Sequence, residues 1–156
     1  TIFVSVASYR DAECALTLES LYARARHPAR VFVGLCTQDA AEDAACPGAD
    51  CEPCVAANIR TIRLTDKQAR GPARARYLCT TLYRGEDYFM QVDSHMLFAQ
   101  DWDELLIADL EKCAPLLREG ATGAVLTHYR RPRWTTRCGS TRSRRTSARA
   151  SSRTRA

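Results

Sequence analysis

An aspartate and a histidine two residues apart, Asp93 and His95, directly follow the apolar run Tyr88–Val92. On a turn leaving a buried strand, a carboxylate and an imidazole at that spacing can both reach one divalent ion. Mn²⁺ accepts mixed oxygen and imidazole ligation and keeps positions open for diphosphate oxygens. The plainer reading of the same residues is a turn in which Asp93 bonds backbone and His95 is solvated. Position favours ligation, because two other strand-like runs also end in polar groups, at Ser8-Tyr9-Arg10-Asp11 and at Gln38-Asp39.

Residues 69–76 read Ala-Arg-Gly-Pro-Ala-Arg-Ala-Arg. A helix opening at Gly71-Pro72 would present free N–H groups and a positive dipole end, and arginines add charge-assisted donors suited to phosphate. Arg74 and Arg76 lie two apart, so they cannot share one helix face, and only one of them is expected to reach a crevice. A solvated basic face is the competing reading. The P-loop lysine motif and the dinucleotide glycine fingerprint are both absent, which excludes those two phosphate cradles.

Eight cysteines are present: Cys14, Cys36, Cys46, Cys51, Cys54, Cys79, Cys113 and Cys138. Cys51-x-x-Cys54 with Cys46 nearby could supply three zinc thiolates, but no second pair at ribbon spacing follows and no histidine is close. A loop disulfide or free thiols is the preferred reading. Cys14, Cys36, Cys79 and Cys113 fall in helix or strand patterns and are expected to be buried as small hydrophobes.

These groups must be held by regular elements. Residues 1–8 are β-branched and aromatic, a strand ending in a polar loop. A helix follows to about Arg26, with Asp11 as its N-cap and Leu16, Leu18, Leu21 and Tyr22 as apolar residues; Pro28 stops it. Arg30–Cys36 reads as a second strand and 37–58 as a long insertion. Ile59–Leu64 reads as a third strand, Gly71 to about Tyr83 as a helix and Tyr88–Val92 as a fourth strand. Trp102–Cys113 reads as an amphipathic helix and Gly123–Thr127 as a fifth strand. Such alternation predicts an α/β domain with a mainly parallel sheet and helices on both faces. Ligands bind such sheets at the carboxyl ends of the strands, where the three polar clusters would meet.

With 156 residues, 46% hydrophobic and 26% charged, the chain has the size and composition of one globular domain. No apolar run is long enough to span a bilayer. The net charge of +5 averages two dissimilar parts: residues 130–156 hold ten arginines and no acid, leaving 1–129 at about −5. The stretch 130–156 lacks Leu, Ile, Val and Phe, and is expected to be disordered. Either it is a basic tail able to contact nucleic acid or an anionic surface, or it is translated from a shifted reading frame of GC-rich sequence. The opening at Thr1, already inside an apolar run, reads as that of a fragment.

Three blocks together are more specific than any one: Thr1 to Asp11, Gly71-Pro72-x-x-Ala75-Arg76-Tyr77, and Gly85 to Phe98 followed by Trp102-Asp103. They resemble the polypeptide GlcNAc-transferase family that includes the Skp1 hydroxyproline GlcNAc-transferases and the mucin-type enzymes of protists. The resemblance runs from Thr1 to about Tyr129 and is carried chiefly by Gln91-Val-Asp-Ser-His-Met96. It implies a GT-A fold, UDP-GlcNAc as donor, Mn²⁺ or Mg²⁺, and transfer to a Hyp, Ser or Thr hydroxyl of a protein acceptor, with retention at the sugar carbon. Asp93 and His95 match the family's metal motif. Tyr9, Arg10 and Asp11, with Ser8 before them, match the block that holds the nucleotide. Arg76, on the helix that Gly71 opens, matches the arginine near uridine or diphosphate, and Gln38 matches the family's Gln after the second strand.

The chemistry agrees with that implication, since a departing diphosphate needs a metal and cations to stabilise its charge. No residue is assigned as nucleophile or base. The family's domain continues past the fifth strand, so the resemblance implies a truncated enzyme: a donor-binding half at 1–129, with 130–156 in place of the acceptor half. The parent enzyme would be cytoplasmic, like the Skp1 modifiers, or Golgi-resident, like the mucin-type enzymes. The rivals are a non-catalytic Arg-rich binding protein and an interaction module organised by zinc at Cys46, Cys51 and Cys54.

Overall fold

The computed structural model of the chain describes residues 1–47, 51–117, 120–121, 123–127 and 137–140. Two compact units are present, residues 1–105 and 106–156. The first is built on a four-stranded parallel sheet. Strand β1 (Ile2–Tyr9) is central, between β2 (Val31–Asp39) and β4 (Tyr88–Asp93), while β3 (Ile59–Thr65) lies outside β2. Pairing is in parallel register, with Ala7 between Cys36 and Asp93 and Tyr9 beside Gln38. The polar ends of β1, β2 and β4 therefore share one edge of the sheet.

The chain passes from β1 to β2 through helix α1 (Cys14–Ala23) and returns from β3 to β4 through α2 (Pro72–Thr80). These crossovers run in opposite directions along the sheet, and their right-handedness puts the two helices on opposite faces. The packing agrees. A Cβ on Gly34 would overlap the Phe3 ring and press on the carbonyl of Cys79 in α2. Cys36, Ala75 and Cys79 pack with Ala7, Ile62, Leu64 and Leu78. Strand alternation then assigns Phe3, Ala7, Tyr9, Gln38 and Asp93 to the α2 face. The α1 face buries Val4, Val6, Val33 and Leu35 with Leu18, Leu21 and Tyr22. A sheet covered on both sides needs continuous apolar runs rather than strict alternation, which is how β1 and β2 read.

Several boundaries differ from those the sequence suggests. Strand β2 continues through Thr37 and Gln38 to Asp39, because Leu64 and Thr65 of β3 pair with it there. Helix α1 begins at Cys14 with Glu13, not Asp11, in the capping position. Asp11 Oδ1 instead accepts the Glu13 N–H at 2.9 Å, and its other oxygen is used elsewhere. The helix ends at Ala23, where Asp103 accepts the N–H groups of Arg26 and His27 at 2.8 and 2.9 Å. Helix α2 stops at Thr80, and the Thr80 and Thr81 hydroxyls donate to carbonyls three residues back.

Helix α3 (Trp102–Cys113) has the predicted bounds. Its first turn is anchored by Trp102, which donates its indole N–H to the Leu21 carbonyl at 2.8 Å and packs on Phe98. In the second unit, β5 (Ala124–Thr127) does not join a parallel sheet. It pairs antiparallel with β6 (Arg137–Ser140), a strand inside the stretch expected to be disordered. The remaining residues of 130–156, and any reading placed on them, lie outside the described residues. Among the described residues, no helix is long and apolar enough to cross a membrane.

The loop after β2 is tied down covalently. Cys14 is bonded to Cys46 and Cys51 to Cys54, so Cys14 is not a free buried thiol and the three-thiolate zinc reading fails. Cys113 is also disulfide-bonded. Cys36 and Cys79 are the buried thiols expected, free and facing each other between β2 and α2. The hydrogen bond that Cys36 donates to the Cys79 sulfur and its burial together push the Cys36 thiol far up, so it stays protonated.

Candidate functional site

A cavity of about 270 Å³ opens where the carboxyl ends of β1, β2 and β4 meet the start of α2. That is close to the lower end of the range for small-molecule sites, roughly 300 Å³. Tyr9, Gln38, Gly71, Arg76 and Asp93 line it, with Ser8, Ala7, Ala69, Pro72 and Ala75. Six of the residues expected to hold a nucleotide are thus brought together. The four smaller apolar residues were not anticipated, although Ala75 sits one helical turn beyond Gly71 and must face the same way.

Each wall has a local cause. Gly71 precedes α2 with φ +83°, a left-handed conformation that disfavours any residue with a Cβ, and the space around it is open. Pro72 then starts the helix without wasting an N–H. Gln38 is buried at 4% exposure and donates its Nε2 to the Ser8 carbonyl at 3.2 Å, locking β2 to β1 beneath the cavity. Ser8 itself is buried, and alternation turns its hydroxyl toward the α1 side, whereas Tyr9 stands exposed at the rim. On α2, Arg76 reaches the cavity and Arg74 is not among its lining residues.

Arg76 and Asp93 form an ion pair, Arg76 Nη2 donating to Asp93 Oδ1 at 2.9 Å. A guanidinium and a carboxylate thus occupy one wall of the cavity. Both side chains remain substantially exposed, which keeps the pair exchangeable.

Arg10, Asp11 and His95 do not line the cavity. The Arg10 backbone turns through φ +48°, and its guanidinium binds Asp43 at 2.9 and 3.1 Å and Glu42 at 3.3 Å. It is a strut to the loop that Cys14–Cys46 anchors. Asp11 instead binds the turn after β4: its Oδ2 accepts Ser94 Oγ–H at 2.6 Å and contacts His95 Nδ1 at 2.9 Å. Burial pushes the Asp11 carboxyl up, but the bonds from Ser94, His95 and the Glu13 N–H outweigh it and hold it below the usual range. The same contact raises the His95 imidazole above its ordinary value.

Among the described residues, no three His, Cys, Asp or Glu side chains converge as a complete metal cluster. Asp93 and His95 are nevertheless suitable as a partial set. Both are exposed at the end of β4, Asp93 keeps Oδ2 clear of its bond to Arg76, and among the described residues only one imidazole nitrogen of His95 is engaged. Two such donors match a hard divalent ion that completes its sphere with water and substrate oxygens.

Comparison with curated proteins and with solved structures gives no match. A model of the glycosyltransferase (GlcNAc) family matches residues 1–54 and 48–150, reaching past Tyr129 into the arginine-rich stretch. That match covers nearly the whole sequence, including every strand and helix around the cavity, and the chain belongs to the GlcNAc glycosyltransferase family.

Proposed function

We propose that the protein transfers GlcNAc from UDP-GlcNAc to a Hyp, Ser or Thr hydroxyl of a protein acceptor, retaining configuration, on a GT-A framework that uses Mn²⁺ or Mg²⁺. The supporting observation is the convergence of Tyr9, Gln38, Gly71, Arg76 and Asp93 on one cavity at the carboxyl edge of a parallel sheet. Family membership supports the sugar. Asp93 and His95 would hold the divalent ion, which when bound supplies electrostatic stabilisation to the departing diphosphate. Arg76 and the N-terminus of α2 add fixed positive potential on the same side. Tyr9, exposed at the rim, offers a flat face to the nucleoside.

The disulfides Cys14–Cys46 and Cys51–Cys54 fit an oxidising compartment, which supports the Golgi over the cytoplasm as the site of action.

Calorimetric titration of UDP-GlcNAc into the full chain, with and without Mn²⁺ and beside Asp93→Ala, tests the donor site. Metal-dependent binding that the substitution abolishes is the expected result. A folded protein that binds no UDP-GlcNAc under either condition overturns the reading.

A further inference from the structure

The turn Ser94–Phe98 has no regular structure, yet side chains of the first strand's exit and of α1 bond to it at Ser94, His95, Met96 and Phe98. Thr17 Oγ1, fully buried, donates to the Ser94 carbonyl at 2.7 Å and accepts the Met96 N–H at 2.9 Å. Ser20 Oγ accepts the Phe98 N–H at 3.0 Å. Asp11 Oδ2 takes the Ser94 hydroxyl and His95 Nδ1, while its Oδ1 is occupied by the Glu13 N–H. The bonds to the turn span 77 to 84 residues of sequence, so the orientation of His95 is a property of the whole β1–α1–β4 arrangement.

An ionised carboxylate only accepts hydrogen bonds. A 2.9 Å contact between Asp11 Oδ2 and His95 Nδ1 therefore requires the proton on Nδ1. In the neutral ring, the lone pair then sits on Nε2, on the far side of the imidazole from Asp11. His95 is more than half exposed there, with no second partner among the described residues. A carboxylate behind an imidazole fixes both tautomer and ring orientation of metal-binding histidines.

We propose that Asp11 is a positioning residue rather than a nucleotide contact: it fixes His95 in the Nδ1–H tautomer and aims Nε2 outward as the ligand for the divalent cation. Ser94 shares the same carboxylate oxygen and steadies the turn without setting the tautomer. The inference deepens the cation site proposed above and rests on it.

The ¹⁵N shifts of the histidine side chains in the full chain, with His95 assigned by His95→Gln, read the tautomer directly. In alkaline solution, where the ring is neutral, the expected spectrum shows His95 protonated at Nδ1 with an unprotonated Nε2. Asp11→Asn should move it toward the Nε2–H form and weaken Mn²⁺ binding, measured by calorimetry or paramagnetic resonance, about 10- to 100-fold. Ser94→Ala should leave the tautomer in place and Mn²⁺ affinity within about threefold. An Nε2–H tautomer in the unsubstituted protein overturns the inference without any variant needing to fold. So does an Asp11→Asn protein with unchanged tautomer. Failure of the cation site is a separate result: an Nδ1–H tautomer that depends on Asp11, in a protein whose Mn²⁺ uptake is unaffected by Asp93→Ala, upholds the positioning by Asp11 and removes the cation role.

Discussion

Arg76 Nη2 stands 2.9 Å from Asp93 Oδ1, so the side chains proposed to bind a diphosphate and a divalent ion are each other's partners. Their separation of 17 residues hides this in the sequence, yet α2 and β4 bring them to one wall of the cavity. Donor and cation together would replace one exposed ion pair by two stronger interactions. The exchange is inexpensive because a pair this exposed contributes only about 0–1 kcal/mol.

Arg76→Ala should therefore separate ligand binding from stability. UDP-GlcNAc affinity is expected to fall about 10- to 100-fold, the range of a lost charged hydrogen bond of about 1.5–3 kcal/mol. Unfolding free energy in urea should change by less than about 1 kcal/mol. A large stability loss would instead mark Arg76 as a structural residue.

Arg60 and Glu86 form the opposite kind of pair. Their side chains are 13% and 5% exposed, 2.7 Å apart, and Arg60 also donates to the Leu82 carbonyl and lies over the Phe32 ring. Glu86→Ala leaves that guanidinium without its carboxylate and should cost about 3–5 kcal/mol, measured by urea denaturation.

Glu86 should also contribute to acid sensitivity. Burial pushes its carboxyl up, but the bond from the Arg84 N–H and the pairing with Arg60 bring it net below the ordinary 4.5. A depressed folded-state value means that the stabilisation is present above about pH 4.5 and is lost as pH falls through the lower folded value. Melting temperatures recorded from pH 6 to pH 3 should drop in the unsubstituted protein, and Glu86→Gln should flatten that drop.

The Cys14–Cys46 bond closes a separation of 32 residues and anchors the loop carrying Glu42 and Asp43 onto Arg10. Cys46→Ser should destabilise the fold by about 2–4 kcal/mol through the freed unfolded chain. A non-denaturing reductant should lower the melting temperature of the unsubstituted protein by more than that of the variant, which keeps Cys51–Cys54 and the Cys113 disulfide.

Gly34→Ala tests the α2 face. An added methyl overlaps the Phe3 ring and lies 3.1 Å from the Cys79 carbonyl, which is backbone and cannot rotate away. Overpacking of this kind costs about 1–3 kcal/mol. Because α2 would shift as a body, donor affinity should fall along with stability, read by calorimetry and urea denaturation on the same preparation.

What the amino-acid sequence determined by itself was local: apolar runs that must be strands, Gly71-Pro72 as a helix start, the span Trp102–Cys113, and polar residues placed at strand ends. Periodicity and turn chemistry act over a few residues, so they are legible in one dimension. The expectation that the strand ends Ser8–Asp11, Gln38–Asp39 and Asp93–His95 share a crevice followed from the parallel topology those runs imply. Of these, Ser8, Tyr9, Gln38 and Asp93 line one cavity, with Arg76, which the family resemblance singled out. The contacts of Arg10, Asp11 and Cys14 were decided only by tertiary structure. Arg10 was claimed by Asp43, 33 residues away, and Cys14 by Cys46. Asp11 was claimed by His95, 84 residues away. A charged or reactive side chain at a strand end takes whichever partner the fold brings within about 3 Å, and the packing of α1 and the loop after β2 against the sheet sets that choice.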